Sequence, residues 1–189
     1  PHAARIDGET LLIPLRDVRG KLWNLQQIYP DGTKRFLPGG KVSDCYCTIG
    51  QSDGALVIAE GFATGASIHE ATGRAVAVAF SASNLPKVAL ALRARYPDMP
   101  ITIAADDDHQ TAGNPGLTKG TQAAQAIGGW LAKPLFPPER ADRDTDFNDL
   151  ARLAGADAVV SRLDAAVYLG KPFELKTDAA MEEGKTRVL

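Results

Sequence analysis

Two hydrophobic rhythms divide the chain near residue 52. From Leu11 to Ile49 the apolar residues come in short runs broken by turn formers: TLLIPL, the turn DVRGK, LWNLQQIY, the turn PDGT, and KRFL. Asp-Gly between strand-like runs is a hairpin signal, because glycine turns the chain through the left-handed region without a Cβ clash. The pattern predicts a small antiparallel meander ending near Gly50, and a β-rich N-terminal subdomain over residues 1–52.

After the turn GQSDG the apolar runs become continuous and alternate with helical spacing. ALVIA (55–59) reads as a buried strand, and Phe62 to Thr72 as a helix stopped by Gly73, a residue suited to the left-handed cap. AVAVAF (75–80) is a second strand. Asn84 to Tyr96, with Leu85, Val88, Ala89 and Leu92 at helical spacing, ends before Pro97. ITIAA (101–105) is a third strand, Thr118 to Trp130 an alanine-rich helix, and KPLFPP a short fourth strand. DFNDLARLAG and ADAVVSRLDAAVYLG read as two further helices. Strands without polar alternation are buried on both sides, which is the mark of a parallel sheet. The expectation is an α/β fold: a parallel four-stranded sheet with helices on both faces over residues 53–170, preceded by the small antiparallel β subdomain. A polar tail, residues 171–189, is expected to be loosely held.

The 189 residues suffice for one good core and a small appended subdomain. The net charge of −2 conceals an asymmetry: residues 1–50 carry 7 Lys/Arg and 5 Asp/Glu, and the remainder 14 and 18. That balance neither shows nor excludes nucleic-acid binding. Cys45 and Cys47 have no other cysteine to complete a zinc site, and His2, His69 and His109 lie far off in sequence, so ordinary reduced thiols are expected. No apolar run approaches the ~20 residues of a membrane span, and no signal-peptide pattern opens the chain, so the expectation is a cytoplasmic protein without a membrane partner. The chain opens PHAARIDGET without an initiator Met, as a piece of a longer protein would.

Candidate chemistry lies where the strands end. Glu60 follows the first core strand, and Asp106, Asp107 and Asp108 follow the third. In open parallel sheets ligands bind beyond the carboxyl ends of the strands. If those two strands are neighbours, four carboxylates converge, and crowding them unpaired costs several kcal/mol each, roughly. A divalent cation relieves that, and oxygen-only ligands favour Mg²⁺ or Mn²⁺ over zinc. Each feature alone has a plainer explanation. Glu60 suits a solvated turn or a helix N-terminus, and three consecutive aspartates suit a solvated loop. A third acidic group, DTDFNDL, places Asp144, Asp146 and Asp149 at a helix start, where Asp and Asn commonly cap.

VIAEGFATG, IAADDD and DFND together resemble the Toprim domain, shared by bacterial-type primases, topoisomerases and some nucleases. The resemblance covers about Ala55 to Leu153 and implies a Toprim-like, Rossmann-like sheet. Glu60–Gly61 match the family's glutamate motif, and Asp106 with Asp108 match its D-x-D pair, which implies metal-binding and catalytic roles for Glu60, Asp106 and Asp108. Asp107 is the intervening position. DFND resembles the third acidic motif of primase Toprims, making Asp146 and Asn148 candidates for the metal or nucleotide environment. The segment LLIPLRDVRGKLWNLQQIYPDGTKRFLPGGK is similar to the region before the Toprim in plasmid and phage primases and primase–helicases. There basic residues face nucleotide or template, which points to Lys34 and Arg35, with Lys41 and Arg16 weaker.

The resemblance implies Mg²⁺- or Mn²⁺-dependent synthesis of RNA primers on single-stranded DNA from nucleoside triphosphates, in plasmid or phage replication. A helicase module or replicative helicase is the implied partner. No zinc-binding or helicase module accompanies these residues, so a catalytic fragment is expected. The alternatives are a Toprim-type endonuclease using the same carboxylates to activate water, and a module that only binds nucleotide or DNA. A topoisomerase is less favoured, since no companion domain carries a nucleophilic tyrosine.

Overall fold

The computed structural model describes residues 4–170. The tail expected at 171–189 lies outside the described residues.

Among the described residues, ten strands form two sheets, accompanied by five α-helices. The front sheet is the antiparallel meander β1 (Arg5–Asp7), β2 (Thr10–Arg16), β3 (Leu22–Ile28) and β4 (Lys34–Phe36), in that order. The turn predicted at Asp31–Gly32 is present, with Gly32 at φ 81°, and β1 is a strand that the sequence pattern did not suggest. The main sheet has six strands in the order β10-β9-β8-β6-β7-β5. Its centre is β6 (Leu56–Ala59), β7 (Ala75–Val78), β8 (Ile101–Ala104) and β9 (Gly129–Ala132), all parallel. Antiparallel strands close both edges: β5 (Cys47–Ile49) on β7, and β10 (Val167–Leu169) on β9.

Helices α1 (Phe62–Thr72), α4 (Phe147–Ala154) and α5 (Ala156–Asp164) cover one face, and α2 (Leu85–Arg95) and α3 (Pro115–Ile127) the other. The expected parallel four-stranded sheet with helices on both faces is therefore the centre of the fold. Alternating small and branched residues make it possible. Val57, Ala59, Val76, Val78 and Ala104 pack under α1, α4 and α5, whereas Leu56, Ile58, Ala75, Ala77, Ile101 and Ile103 pack under α2 and α3.

Three expectations need correction. The fourth parallel strand is Gly129–Ala132, not KPLFPP. Gly128, at φ 55°, ends α3 after Ile127, so the chain is already extended at Trp130; the prolines at 134, 137 and 138 lack the N–H a ladder needs. The segment ADAVVSRLDAAVYLG is not all helix: α5 stops at Asp164, and Val167–Leu169 forms an edge strand whose Tyr168 ring lies 5.1 Å from Trp130. Cys47–Ile49 belongs to the main sheet rather than to the meander.

Nor is the front sheet packed separately. Ile13 is fully buried in the same cluster as Val57, Val76 and Phe147, with Leu11 and Ile28 against it. The loop after β4 is pinned by buried Asn84, which donates to the carbonyls of Val42, Cys45 and Ala79 and accepts from the Asp44 N–H at 2.9 Å. Cys45 and Cys47 are buried free thiols, and burial pushes both up, Cys47 to about 11.

The approach of α3 to β8 depends on Gly120. A methyl group there would lie 2.5 Å from the Ala105 Cβ, which is fixed to backbone and cannot swing aside. Gly120→Ala is expected to cost about 1–3 kcal/mol by overpacking and to lower the melting temperature by several degrees in a thermal scan. An unchanged melting temperature would show that α3 moves freely on the sheet.

Candidate active site

Strand pairing creates the site. Ala59 pairs with Ala104, so Glu60, one residue past β6, and Asp106, two past β8, leave the same end of adjacent strands. Strand order also reverses here. From β6 the chain reaches β7 on one side through α1, then returns through α2 on the opposite face to β8 on the other side. The crevice at such a reversal is where ligands bind in open α/β sheets.

Asp106 is the most perturbed carboxyl of the group. Burial pushes it up to about 8, and Glu60, Asp146, Asp108 and Asp149 all add to the shift. Its Oδ1 is buried without a hydrogen-bond partner. Glu60 is half-buried and also raised, first by burial and then by Asp108; the backbone N–H of Ala82 and the charge of Lys34 oppose the rise.

The three consecutive aspartates do different work. Asp107 is a fastener: its Oδ1 accepts from Asn114 Nδ2 at 2.8 Å and its Oδ2 from Arg140 Nη1 at 2.9 Å. Burial raises its pKa, but those two bonds together with the charges of Lys133 and Arg140 outweigh burial and hold it below the usual carboxylate range. Asp108 Oδ2 accepts the N–H of Gly116 at 2.9 Å, in the first turn of α3. Glycine is required there, since a methyl group would come within 2.8 Å of the Asp106 carbonyl oxygen.

The DTDFNDL carboxylates are all engaged in hydrogen bonds within the protein. Asp146 caps α4: its Oδ1 accepts from the Asp149 N–H at 2.8 Å, and Asp149 returns the bond. The other Asp146 oxygen accepts from Thr64 Oγ1 at 2.6 Å, and Asn148 Oδ1 accepts from Ser67 Oγ at 2.9 Å, tying α4 to α1. Asp144, 2 % exposed, is held by Arg152 at 2.6 Å and by the Ala141 N–H.

Lys34 and Arg35 point opposite ways, as adjacent residues of a strand must. Phe36, on the Lys34 face, meets Phe80 edge-on at 6.0 Å, and Lys34 acts electrostatically on Glu60. Arg35 lies on the outer face, 5.9 Å from the Tyr29 ring. Lys41 pairs with Asp44 at 3.2 Å, and Arg16 donates to the Gly20 carbonyl. Phe80 holds a left-handed φ of 69°, and its N–H donates to the Glu60 carbonyl at 2.7 Å. A bulky residue pays roughly 1–2 kcal/mol for that conformation, so the ring contact and the hydrogen bond over-determine the turn beside Glu60.

Sequence reasoning missed Thr64, Asn114 and Arg140. Asn114-Pro115 carries a helix-start signal; nothing local distinguishes Arg140 from its solvated neighbours.

Among the described residues, no three His, Cys, Asp or Glu side chains are gathered tightly enough to enclose a cation outright. The donor chemistry of Glu60, Asp106 and Asp108 nevertheless fits an oxygen-seeking divalent ion: the groups are all carboxylates, and one buried oxygen lacks any donor.

The sequence profile described as Toprim domain matches residues 55–157. A DNA primase TraC of Escherichia coli is 45% identical over 141 residues, covering 70% of this chain and 13% of the relative, so the chain spans only a small part of that protein's length. Among solved structures, the primase fragment of bacteriophage T7 primase-helicase protein superposes with a TM-score of 0.56 at 17% identity, covering 85% of this chain and 65% of that one. The DnaG primase catalytic domain bound to ssDNA gives 0.55 at 16% identity, over 85% and 52%. At such identities these two establish a shared fold.

A raised carboxyl leaves a stability signature without metal. Asp106 is ordinarily near 3.8 and is about 8 in the fold. As pH rises between those values the unfolded chain gives up its proton while the fold retains it, so stability falls. Below that window the contribution is fully present; above about 8 it is gone. Asp106→Asn should therefore become progressively more stable than the unaltered chain as pH rises from acid to alkaline in chelator. Parallel melting curves across that range would refute the shift.

Proposed function

The chain belongs to the Toprim family, and from that premise we propose that it is the catalytic domain of a DNA primase, making RNA primers on single-stranded DNA. The observation that carries this reading is the buried Asp106 carboxyl, one oxygen of which has no hydrogen-bond partner, set among Glu60, Asp108 and Asp146 at the strand reversal. The relative named DNA primase TraC supports the choice of reaction within the family.

The cofactor of this reading is Mg²⁺ or Mn²⁺, held by Asp106 and Asp108 with Glu60; when bound it neutralises triphosphate charge and stabilises an in-line transition state. Glu60, its pKa raised by burial, is suited to take the proton from an attacking 3′-hydroxyl or initiating nucleotide, alone or as a further ligand. Lys34, facing Glu60 from β4, pairs with the phosphates of the incoming nucleoside triphosphate. Arg35, on the outer face of β4, meets template phosphate instead. Asp146 and Asn148 serve the nucleotide environment by fixing α4 to α1 through Thr64 and Ser67. A helicase module or replicative helicase is the partner this reading expects, from the likeness of residues 11–41 to primase–helicases. Among the described residues no helix is long and apolar enough to cross a membrane.

Labelled nucleoside triphosphates, single-stranded DNA and Mg²⁺ test the activity, with the substitutions placed in the full-length protein. Primers are expected from the unaltered protein; shortened DNA would favour the endonuclease. Glu60→Gln should abolish synthesis while leaving the fold intact. Asp106→Asn with Asp108→Asn should remove Mn²⁺ binding in a calorimetric titration. Retained synthesis by the glutamine variant, or unaltered Mn²⁺ affinity in the double variant, would overturn the assignment.

A further inference from the structure

Trp23 is an exposed indole at the start of β3, 37% accessible, and no part of either core cluster. An indole left in water is costly unless something covers it, and this one is held in place. Its Nε1–H donates to Asp17 Oδ2 at 2.7 Å, while the other Asp17 oxygen accepts the N–H groups of Arg19 and Lys21. The ring is therefore anchored by its polar edge. Two ammonium groups attend it: Lys21 Nζ lies 3.7 Å from the ring centroid, and Lys41 Nζ 5.5 Å. Lys41 is also paired with Asp44, but Lys21 has no carboxylate within ion-pair distance among the described residues.

A fixed, exposed aromatic ring with mobile ammonium groups over it is suited to an unpaired base: Lys21 leaves the ring face for a flanking phosphate as the base stacks in its place. A protein partner would favour a broad apolar surface, whereas the side chains in contact with this ring are the charged Lys21, Lys41 and Asp17. Its position also fits. Lys41 sits on the loop whose residues 42–45 Asn84 ties to Ala79, one residue past β7 and at the Glu60 end of the sheet.

We propose that Trp23, with Lys21 and Lys41, is a stacking site for single-stranded nucleic acid, outside the carboxylate crevice. It rests on the reading of the chain as acting on single-stranded DNA, and extends it: the strand is gripped by a base contact on the front sheet as well as at the site of chemistry. None of these three residues belongs to the carboxylate group, so binding here does not require the metal.

The chain contains two tryptophans, and Trp130 lies tilted against Tyr168 of the adjoining edge strand β10 in the main sheet. Trp130→Phe therefore isolates the emission of Trp23. Titrating that variant with an oligodeoxythymidylate in chelator should quench the emission. In the unaltered background, Trp23→Ala should weaken binding of a labelled oligonucleotide about ten-fold, whereas Trp23→Phe should retain most of the affinity. Lys21→Ala should lower the log–log salt slope by about 0.7. Circular dichroism confirms that each variant is folded. Quenching that survives in an Asp106→Asn, Asp108→Asn background supports a separate site even if no primer is made. Oligonucleotide binding without quenching, with Trp23→Ala unaffected, overturns this proposal and leaves the primase reading standing. Equal quenching by inorganic polyphosphate overturns base stacking. No binding by the unaltered chain would overturn both.

Discussion

Parallel pairing of Leu56–Ala59 with Ile101–Ala104 is the constraint on which the rest depends. It brings Glu60 and Asp106, one and two residues past the paired strand ends, to the point where strand order reverses, where the charge of Glu60 acts on Asp106. Bringing carboxylates together in a partly buried crevice opposes folding. The sheet bears this because its own core is extensive: apart from half-buried Thr102, the strands on either side of the crevice are buried leucine, valine, isoleucine and alanine. Small residues at Ala105, Gly116 and Gly120 let α3 lie close enough for the Gly116 N–H to reach Asp108.

Around that crevice the acidic residues divide into those that are satisfied and one that is not. Asp107 has Arg140 and Asn114, Asp144 has Arg152, and Asp146 and Asp149 cap each other across the first turn of α4. Each such bond offsets the desolvation of a carboxylate. Asp106 is left with a buried oxygen that nothing donates to, although its neighbours show that this fold supplies donors readily. A buried polar atom left open in otherwise satisfied surroundings is where an external ligand has most to gain.

The front sheet belongs to this arrangement because its core is continuous with that of the main sheet. Ile13 is buried among residues of β6, β7 and α4, and Phe36 rests against Phe80 at the turn beside Glu60. Strand alternation then decides what β4 offers to each side: Lys34 toward the carboxylates, Arg35 toward Tyr29 and solvent.

Much of this was legible in the residues themselves. Runs such as LVIA and AVAV could be read as buried strands, Gly73 could be expected to end a helix, and Glu60 and Asp106 stood out as charges at the ends of apolar runs. These are local matters of period, backbone freedom and hydration, which a chain carries in its order of residues. The tertiary structure decided what depends on partners distant in sequence. Gly129–Ala132 and Val167–Leu169 became strands because they found a free sheet edge and each other. Asp107 became a fastener because Arg140, 33 residues away, arrived beside it, while Asp106, identical in sequence terms, received no such partner. Whether a carboxylate is a tether or an open ligand is set by which donors reach it, and only the folded arrangement of strands and helices determines that.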